Sequence, residues 1–598
     1  MMEESRCKVD AEAIQERHEK SLLKSELENL QKEIRAMREQ SKRPLHCTNC
    51  GVAAGSGGDF DAAVSNKEQQ LQLENARLRA EVEKLRGERG KAAADGALSP
   101  ASPPFCVGTT QTKDNRSPLE FYGGGLTGRD KQSILELVGR ALEELKAMSS
   151  SGEPLWVRSM ETGRDILNYD EYVRLFRRDD DDAGDQDQRG TWSVEASREG
   201  GVVYLDTTQL VHAFMDAMLA EVQTLTPMVP TRELCFARYC KKLAPEKWAI
   251  VDASFSKAGG GADASSPVIT SWKNASGCII EEQTNGRSRV TWVEHAKHRE
   301  PAVVPSTYRA VTASGLAFGA RRWLAALRLQ CERMVFSVAT NVPTRDSNGV
   351  STLAGRRSVL KLAHRMTLSL CRVIGGSHGL AWSRAPRAGA GDVWLTSRRN
   401  AGDPGEPQGL IAAAVLSAWL PISPTALLAF LKDEYRRPEW DVTLHGRSVQ
   451  SRVSVAKGKD RGNCVTAYAP TSAEEQSGGA WVVQDVCTNS CESIVAYAPV
   501  DAAVLQPVIG GHDSSGVAVL PCGVAIMPDG LESRPAVITS RKEDGVAGAT
   551  GSLVTVACQV LASSSPMAAL SPESAETVTS LVSCTLRDIR KALGCYDR

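Results

Sequence analysis

Residues 314–334 read SGLAFGARRWLAALRLQCERM. Leu316, Ala320, Trp323, Leu324, Leu327, Cys331 and Met334 recur at helical spacing, so a long amphipathic helix is predicted from about Ser314 to Val335. It closes a region rich in strand signals. Gly277–Glu282 and Val290–Val293 flank Asn285-Gly286, a dipeptide that tolerates positive φ at both positions, and are predicted to pair as a hairpin. An earlier helix, from about Asp130 to Met148, should lay Ile134, Leu135, Val138, Leu142 and Leu145 on the sheet. Pro154–Val157 begins an extended segment, Asn168–Phe176 a short helix, and Asp179–Asp182 an exposed acidic loop. The fold class is therefore α+β.

The C-terminal part repeats this plan. A helix is predicted over about Ser358–Cys371, and Ser423-Pro424 starts another, with Ser as cap, Pro in the first turn and Leu427, Leu428 and Leu431 inward. Strands follow at Ser493–Tyr497 and Val517–Met527, and a last amphipathic helix near Pro572–Leu593 turns Val578, Leu581, Val582, Ile589 and Leu593 inward.

Bulk properties narrow the function. At 598 residues the chain exceeds one hydrophobic core, so two or three domains with linkers are expected. A net charge of −1, with 42% hydrophobic and 24% charged residues, gives no global pull toward nucleic acid or membrane. Sixteen cysteines without a regular framework, and a start lacking a signal-peptide core, point to a reducing compartment. The longest apolar run, Leu410–Leu420, ends at Pro421, well short of the roughly 20 residues a span requires.

At the N-terminus, Leu23, Leu30 and Met37 share one heptad register and Leu27 and Ile34 the other. A second stretch carries Leu71, Leu78 and Leu85 at d, with Asn75 and Val82 at a. Such narrow stripes are predicted to pair subunits, and a buried Asn at a fixes register because only a matching Asn satisfies its amide. Between them Cys47 and Cys50 have the spacing of half a zinc site or a dithiol switch. No second Cys or His pair follows at finger-like distance, so no metal is assigned; a redox role on pairing and inert loop cysteines both stay open. The dense basic run of a basic-zipper DNA binder is missing ahead of the first heptad, where only Arg6 and Lys8 stand against Glu3, Glu4 and Asp10.

Gly123–Gly128 spells GxGxxG without a preceding strand, so it lacks the mechanism of a dinucleotide site. No GxSxG, HExxH or P-loop is present, and Glu294 and His295 are neighbours on a strand that should face opposite ways. The chain is not expected to be an enzyme.

Several stretches carry a resemblance. EPLWVRSMETGRDILNYDEYVRLF (153–176), VEASREGGVVYL (194–205), LTPMVPTRE (225–233), VTWVEHA (290–296) and the opening helix resemble the START region of plant class IV homeodomain-leucine zipper (HD-ZIP IV) proteins. IQERHEKSLLKSELENLQKEIRAMRE (14–39) with CTNCG (47–51) resembles that family's zipper-loop-zipper. WLPISPTALLAFLKDEYRRPEWD (419–441), AKGKDRGNCVTAY (456–468), IVAYAPVD (494–501) and VAVLPCGVAIMPDG (517–530) resemble its START-adjacent domain.

Heptad spacing, with which the resemblance agrees, gives zipper helices at 1–43 and 66–90 around a CxxC loop at 44–65, and a composition rich in Gly, Ala, Ser and Pro gives a flexible linker at 91–125. The resemblance further implies a START-like helix-grip domain at 126–336, a linker at 337–357 and a second START-like α+β domain at 358–598. It implies a nuclear transcription regulator with a homeodomain, holding a lipid or sterol and no other cofactor, paired with itself or with full-length relatives; without a homeodomain in this sequence, DNA is expected to be met only indirectly. A lipid carrier or sensor, and a pairing scaffold without DNA contact, are the alternatives. Leu316, Ala320, Trp323, Leu324, Leu327 and Trp292 are the expected pocket residues; an apolar face alone does not separate lining a cavity from filling it. Two departures stand out: no homeodomain-type recognition helix lies upstream of Ile14, and Ala217 joins Met218 directly where the family carries further strands. Either the pocket is open and altered, or the sequence is a shortened version of the family's chain.

Overall fold

A computed structural model describes residues 128–595, apart from 159–163, 177–191, 215–218, 256–268, 300–310, 340–346, 376–379, 386–392, 472–478, 530–550 and five isolated positions. The zipper residues, Cys47 and Cys50 lie outside the described residues, as does the acidic loop.

The first part contains α1 (Gly128–Ser150), β1 (Trp156–Arg158), β2 (Asp165–Leu167), α2 (Tyr169–Phe176), β3 (Trp192–Val203) and α3 (Thr207–Phe214). Strands β4 (Leu219–Val222), β5 (Arg232–Ala244), β6 (Lys247–Ser254), β7 (Ile269–Lys273), β8 (Ser276–Gln283) and β9 (Arg287–Arg299) follow, and α4 (Ala320–Val338) closes it. β9 pairs with β3 on one side and with β7 and β8 on the other; β8 leads to β6, β6 to β5 and β5 to β4, all antiparallel. Beyond the end of β6, the first residues of β5 run parallel to β7. The predicted hairpin is present, but Gln283 opposes Arg287, so three residues turn it, and only Gly286 is seen at positive φ (67°). At the other end of β8, a Cβ on Gly277 would stand 2.0 Å from the Ile250 carbonyl oxygen, so glycine alone lets β6 and β8 approach.

Alternation sorts the strands onto two faces. Ala249, Val251, Ile279 and Val293 meet Ala141, Leu142, Leu145 and Met148 of α1. Ile250, Cys278, Ile280, Val290 and Trp292 meet Ala320, Leu324, Leu327 and Cys331 of α4. Two expected inward residues are corrected. Leu135 is 57% exposed, because burial of α1 starts only near Val138 and no described element covers the turn before it. Met334 is 39% exposed near the end of α4. The closing helix also starts later than predicted, at Ala320, since Gly315 adopts φ 72° and Gly319 is the extended cap residue.

The second part runs β10 (Ser347–Asn348), α5 (Leu353–Ile374), β11 (Trp382–Ala385), β12 (Val393–Asn400), β13 (Gly409–Leu420), α6 (Pro424–Lys432), β14 (Val449–Ala456) and β15 (Cys464–Pro470). It continues with β16 (Ala480–Thr488), β17 (Ser493–Asp501), α7 (Ala502–Gly510), β18 (Cys522–Pro528), β19 (Ser552–Ser563) and α8 (Pro572–Ala592). Its ten strands form one antiparallel sheet in the order β10-β14-β15-β16-β17-β18-β19-β13-β12-β11. The apolar run Leu410–Leu420 is the interior strand β13. Ala412, Ala414 and Leu416 enter the core beneath α8, and Ala413 and Val415 the opposite one. Coverage on both faces explains a run without alternation. Ser423 caps α6 as expected, accepting from the Ala426 amide. The strand predicted from Val517 begins only at Cys522; Val517 and Val519 are buried as irregular chain, with the Val519 amide bonded to the Gly405 carbonyl.

One apolar cluster joins the two parts. Leu234, Phe236, Leu316, Phe318, Ala325 and Ala326 pack with Leu370, Val373, Val415, Ile494 and Met527. Within this seam Arg322 of α4 pairs with Glu492, in the turn between β16 and β17, at 2.8 Å, both side chains being buried. Arg322 also donates to the Ala317 carbonyl. Burial pushes the Glu492 carboxyl up although Arg322 opposes it.

Glu492→Gln should therefore cost about 3–5 kcal/mol, because it strands a buried guanidinium, while Arg322→Leu/Glu492→Leu should recover most of the loss. Chemical denaturation of both variants checks this; equal loss in both would refute it. On the α1 face, burial depresses the buried His295 imidazole to about 4 from its ordinary 6.5. The unfolded chain then binds a proton the folded one refuses, so stability should fall, on the order of 3 kcal/mol, as pH drops from 6.5 toward 4. Urea melts at stepped pH should show a shallower slope for His295→Gln, and an unchanged slope would refute the assignment.

Candidate ligand site beneath the gripping helix

The inward face of the first sheet is apolar by parity, yet four charged side chains stand on it in a row across neighbouring strands. They are Arg238 on β5, Asp252 on β6, Lys273 on β7 and Glu294 on β9. Arg238 donates to Asp252 through Nε at 2.7 Å and Nη2 at 2.8 Å, and its Nη1 donates to the carbonyl of Phe214, the last residue of α3. Lys273, only 1% exposed, lies 3.4 Å from Asp252 and 3.0 Å from Glu294. The Trp292 indole donates to Glu294 at 3.3 Å. Burial would raise the Asp252 carboxyl, but Arg238 and then Lys273 outweigh it and hold it below its usual range. Burial does prevail at Glu294, whose carboxyl is pushed up despite Lys273.

Aromatic rings roof this cluster. Trp323 of α4 stacks on Trp292 with centroids 5.5 Å apart and planes 10° from parallel. Lys273 Nζ lies 4.9 Å from the Trp323 ring and 5.3 Å from that of Phe236. Helix α3 lays Leu210, Val211 and Phe214 against the same core as Ile250, Ile280 and Trp292.

The six expected pocket residues do not all meet. Trp292, Ala320, Leu324 and Leu327 belong to this core, and Trp323 packs on it. Leu316 precedes the helix and sits instead in the seam with Phe318 and Leu370. The four charges were missed by sequence reading, although the signal was present: in KWAIVDAS, Asp252 shares inward parity with Ile250. His295 and Glu294 face opposite ways, as strand geometry requires. His295 makes an edge contact with Tyr172 and a 3.1 Å contact with Asn274 on the α1 side.

Chemically, the row sums to zero charge and its members satisfy one another. A charged guest would enter uncompensated, whereas a neutral polar group can exchange into the network. Among the described residues no cluster of His, Cys, Asp or Glu is placed to hold a metal, and no helix is long and apolar enough to cross a membrane.

Comparison with known proteins places these features. The START domain family matches residues 217–333, and the family described as PDF2-like, C-terminal domain, matches 352–595. The rice (Oryza sativa subsp. japonica) homeobox-leucine zipper protein ROC9 is 59% identical over 98% of this chain and 81% of its own length. The Arabidopsis thaliana homeobox-leucine zipper protein GLABRA 2 is 44% identical over 99% of this chain and 80% of its own. Among solved structures, human StAR-related lipid transfer protein 5 matches 34% of this chain and 99% of its own at 11% identity and a TM-score of 0.23. The extent and identity of the plant matches, with both family regions in order, make this chain a member of the class IV homeodomain-leucine zipper family.

Proposed function

We propose that this protein is a lipid- or sterol-responsive regulator of transcription, acting in the nucleus, that pairs through its N-terminal heptads and takes its ligand between α4 and the sheet it grips. The observation that carries the reading is the inward face itself: an apolar surface under an aromatic roof, with one charge-neutral polar cluster at its centre. Such a face suits a guest that is mostly hydrocarbon and bears a single polar group. Trp323 is the contact such a guest has to displace, because it covers both Trp292 and Lys273. The family membership supports regulation rather than catalysis.

Native mass spectrometry of protein purified from plant cells should show a dimer that retains a lipid of definite mass, and Trp323→Ala should change the retained fraction severalfold. A dimer free of ligand would leave a pairing scaffold and overturn the lipid reading. By the same reading the N-terminal heptads pair this polypeptide with its full-length relatives. In a gel-shift assay it should give no specific retention alone and should diminish the band of a full-length relative. Tight sequence-specific retention of the polypeptide by itself at physiological salt would refute this.

A further inference from the structure

The second sheet grips a helix of its own, and the space beneath that helix differs from the first grip in one respect. Arg437, Trp440, Tyr497 and Thr585 are all almost wholly buried there. Arg437 and Trp440 come from the turn after α6, Tyr497 from β17, and Thr585 from the α8 stripe that also carries Val578, Val582 and Ile589. Arg437 Nε donates to Asp441 at 2.9 Å and Nη1 to Gln484. The guanidinium stands 5.0 Å from the Trp440 ring, 5.1 Å from Tyr468 and 5.0 Å from Tyr497, while Trp440 and Tyr497 meet edge to face at 5.3 Å. Among the described residues, Trp440 Nε1 and Tyr497 Oη in this cage, and Thr585 Oγ1 on α8, have no hydrogen-bond partner. Arg437 Nη2 makes only its ion pair with Asp441.

A buried polar atom left without a partner costs about 1–3 kcal/mol, and native proteins pair nine in ten of them. By contrast, in the first grip Arg238, Asp252, Lys273, Glu294 and the Trp292 indole all find partners. Three such orphans thus come from the turn after α6, from β17 and from α8, the elements that enclose this part of the core. Two of the atoms, Trp440 Nε1 and Arg437 Nη2, can only donate, and the two hydroxyls donate or accept, so the matching group is an oxygen acceptor. Asp441 already cancels the Arg437 charge, so an anionic headgroup would be left uncompensated. The core around these groups is aliphatic, with Leu416, Val556, Val582 and Leu586 among it.

We propose that the C-terminal domain is itself a ligand-binding domain. Between α8 and its sheet it takes a neutral lipid of the sterol or acylglycerol class, whose hydroxyl or carbonyl oxygen is held by Trp440, Tyr497 and Thr585. This site is separate from the one under α4 and does not depend on it.

The test uses the full chain and the fluorescent neutral sterol dehydroergosterol, followed by energy transfer from tryptophan and by equilibrium dialysis. Tyr497→Phe/Thr585→Val keeps the shape of both side chains and removes only unpartnered hydroxyls, so it should melt no lower than the parent yet bind the sterol about tenfold more weakly. Trp323→Ala, aimed at the first grip, separates the two sites. Loss on the Tyr497/Thr585 variant supports the inference whether or not the first grip binds. Loss on Trp323→Ala alone overturns it and leaves the reading of the first grip standing. Absence of sterol binding by the parent, parental affinity in the double variant, a lowered melting temperature in that variant, or a crystal structure with only ordered water bridging Trp440 and Tyr497 would each overturn it.

Discussion

Helix α4 has to satisfy two cores at once, and much of the molecule follows from that constraint. Ala320, Leu324, Leu327 and Cys331 face the sheet it grips, whereas Ala325 and Ala326 face the seam with the C-terminal sheet, and Trp323 packs against both. The alanines matter because they let the helix approach the second surface closely, where larger residues would hold it off. Arg322 reaches across the same seam to Glu492 and is the only α4 side chain ion-paired to the second sheet among the described residues. A helix held on both sides cannot tilt away from one sheet without straining its contact with the other.

Buried charge is used differently in the seam and in the first grip. Across the seam a single pair joins groups from distant parts of the chain, and its value lies in register more than in net stability, since an apolar replacement of similar volume can be as stable. In the grip, four charges on neighbouring strands share partners. Asp252 is held by two cations while Glu294 has one, which is why their carboxyls move in opposite directions. Arg238 extends the network to the end of α3, so the polar cluster also fastens the segment that walls the apolar face.

Much of this was legible in the sequence, and what was not has identifiable reasons. The α4 stripe, the hairpin, the Ser423 cap and the closing helix α8 all rest on local periodicity or local hydrogen bonding, and these survive into the fold. The second face of α4 was not visible, because Arg322, Ala325 and Ala326 have the composition of a solvated face until another sheet is known to lie there. Leu316 was placed on the helix because its spacing fits; the backbone at Gly315 and Gly319 ends the helix before it, and no periodicity reports φ. Leu135 shows the converse: it keeps the phase of the stripe, but among the described residues no apolar surface meets it. The charged row was available to strand parity and was overlooked because the charges lie in four separate strands, a relation that only the pairing order reveals.

The two grips then differ in a way that composition hides. Both consist of an antiparallel sheet and a long amphipathic helix, and both bury an arginine against an aspartate beside aromatic rings. In the first, the four charges come from the sheet and their remaining partner, the Phe214 carbonyl, from α3, so the polar cluster is complete before the gripping helix arrives and α4 contributes only the Trp323 roof. In the second, the arginine sits on the turn after α6 and the helix brings a hydroxyl, Thr585, that the sheet does not satisfy. In the closed network each of the four charges already has its partner. An open one favours whatever supplies the missing acceptor, so the demand for a polar guest is greater under α8 than under α4.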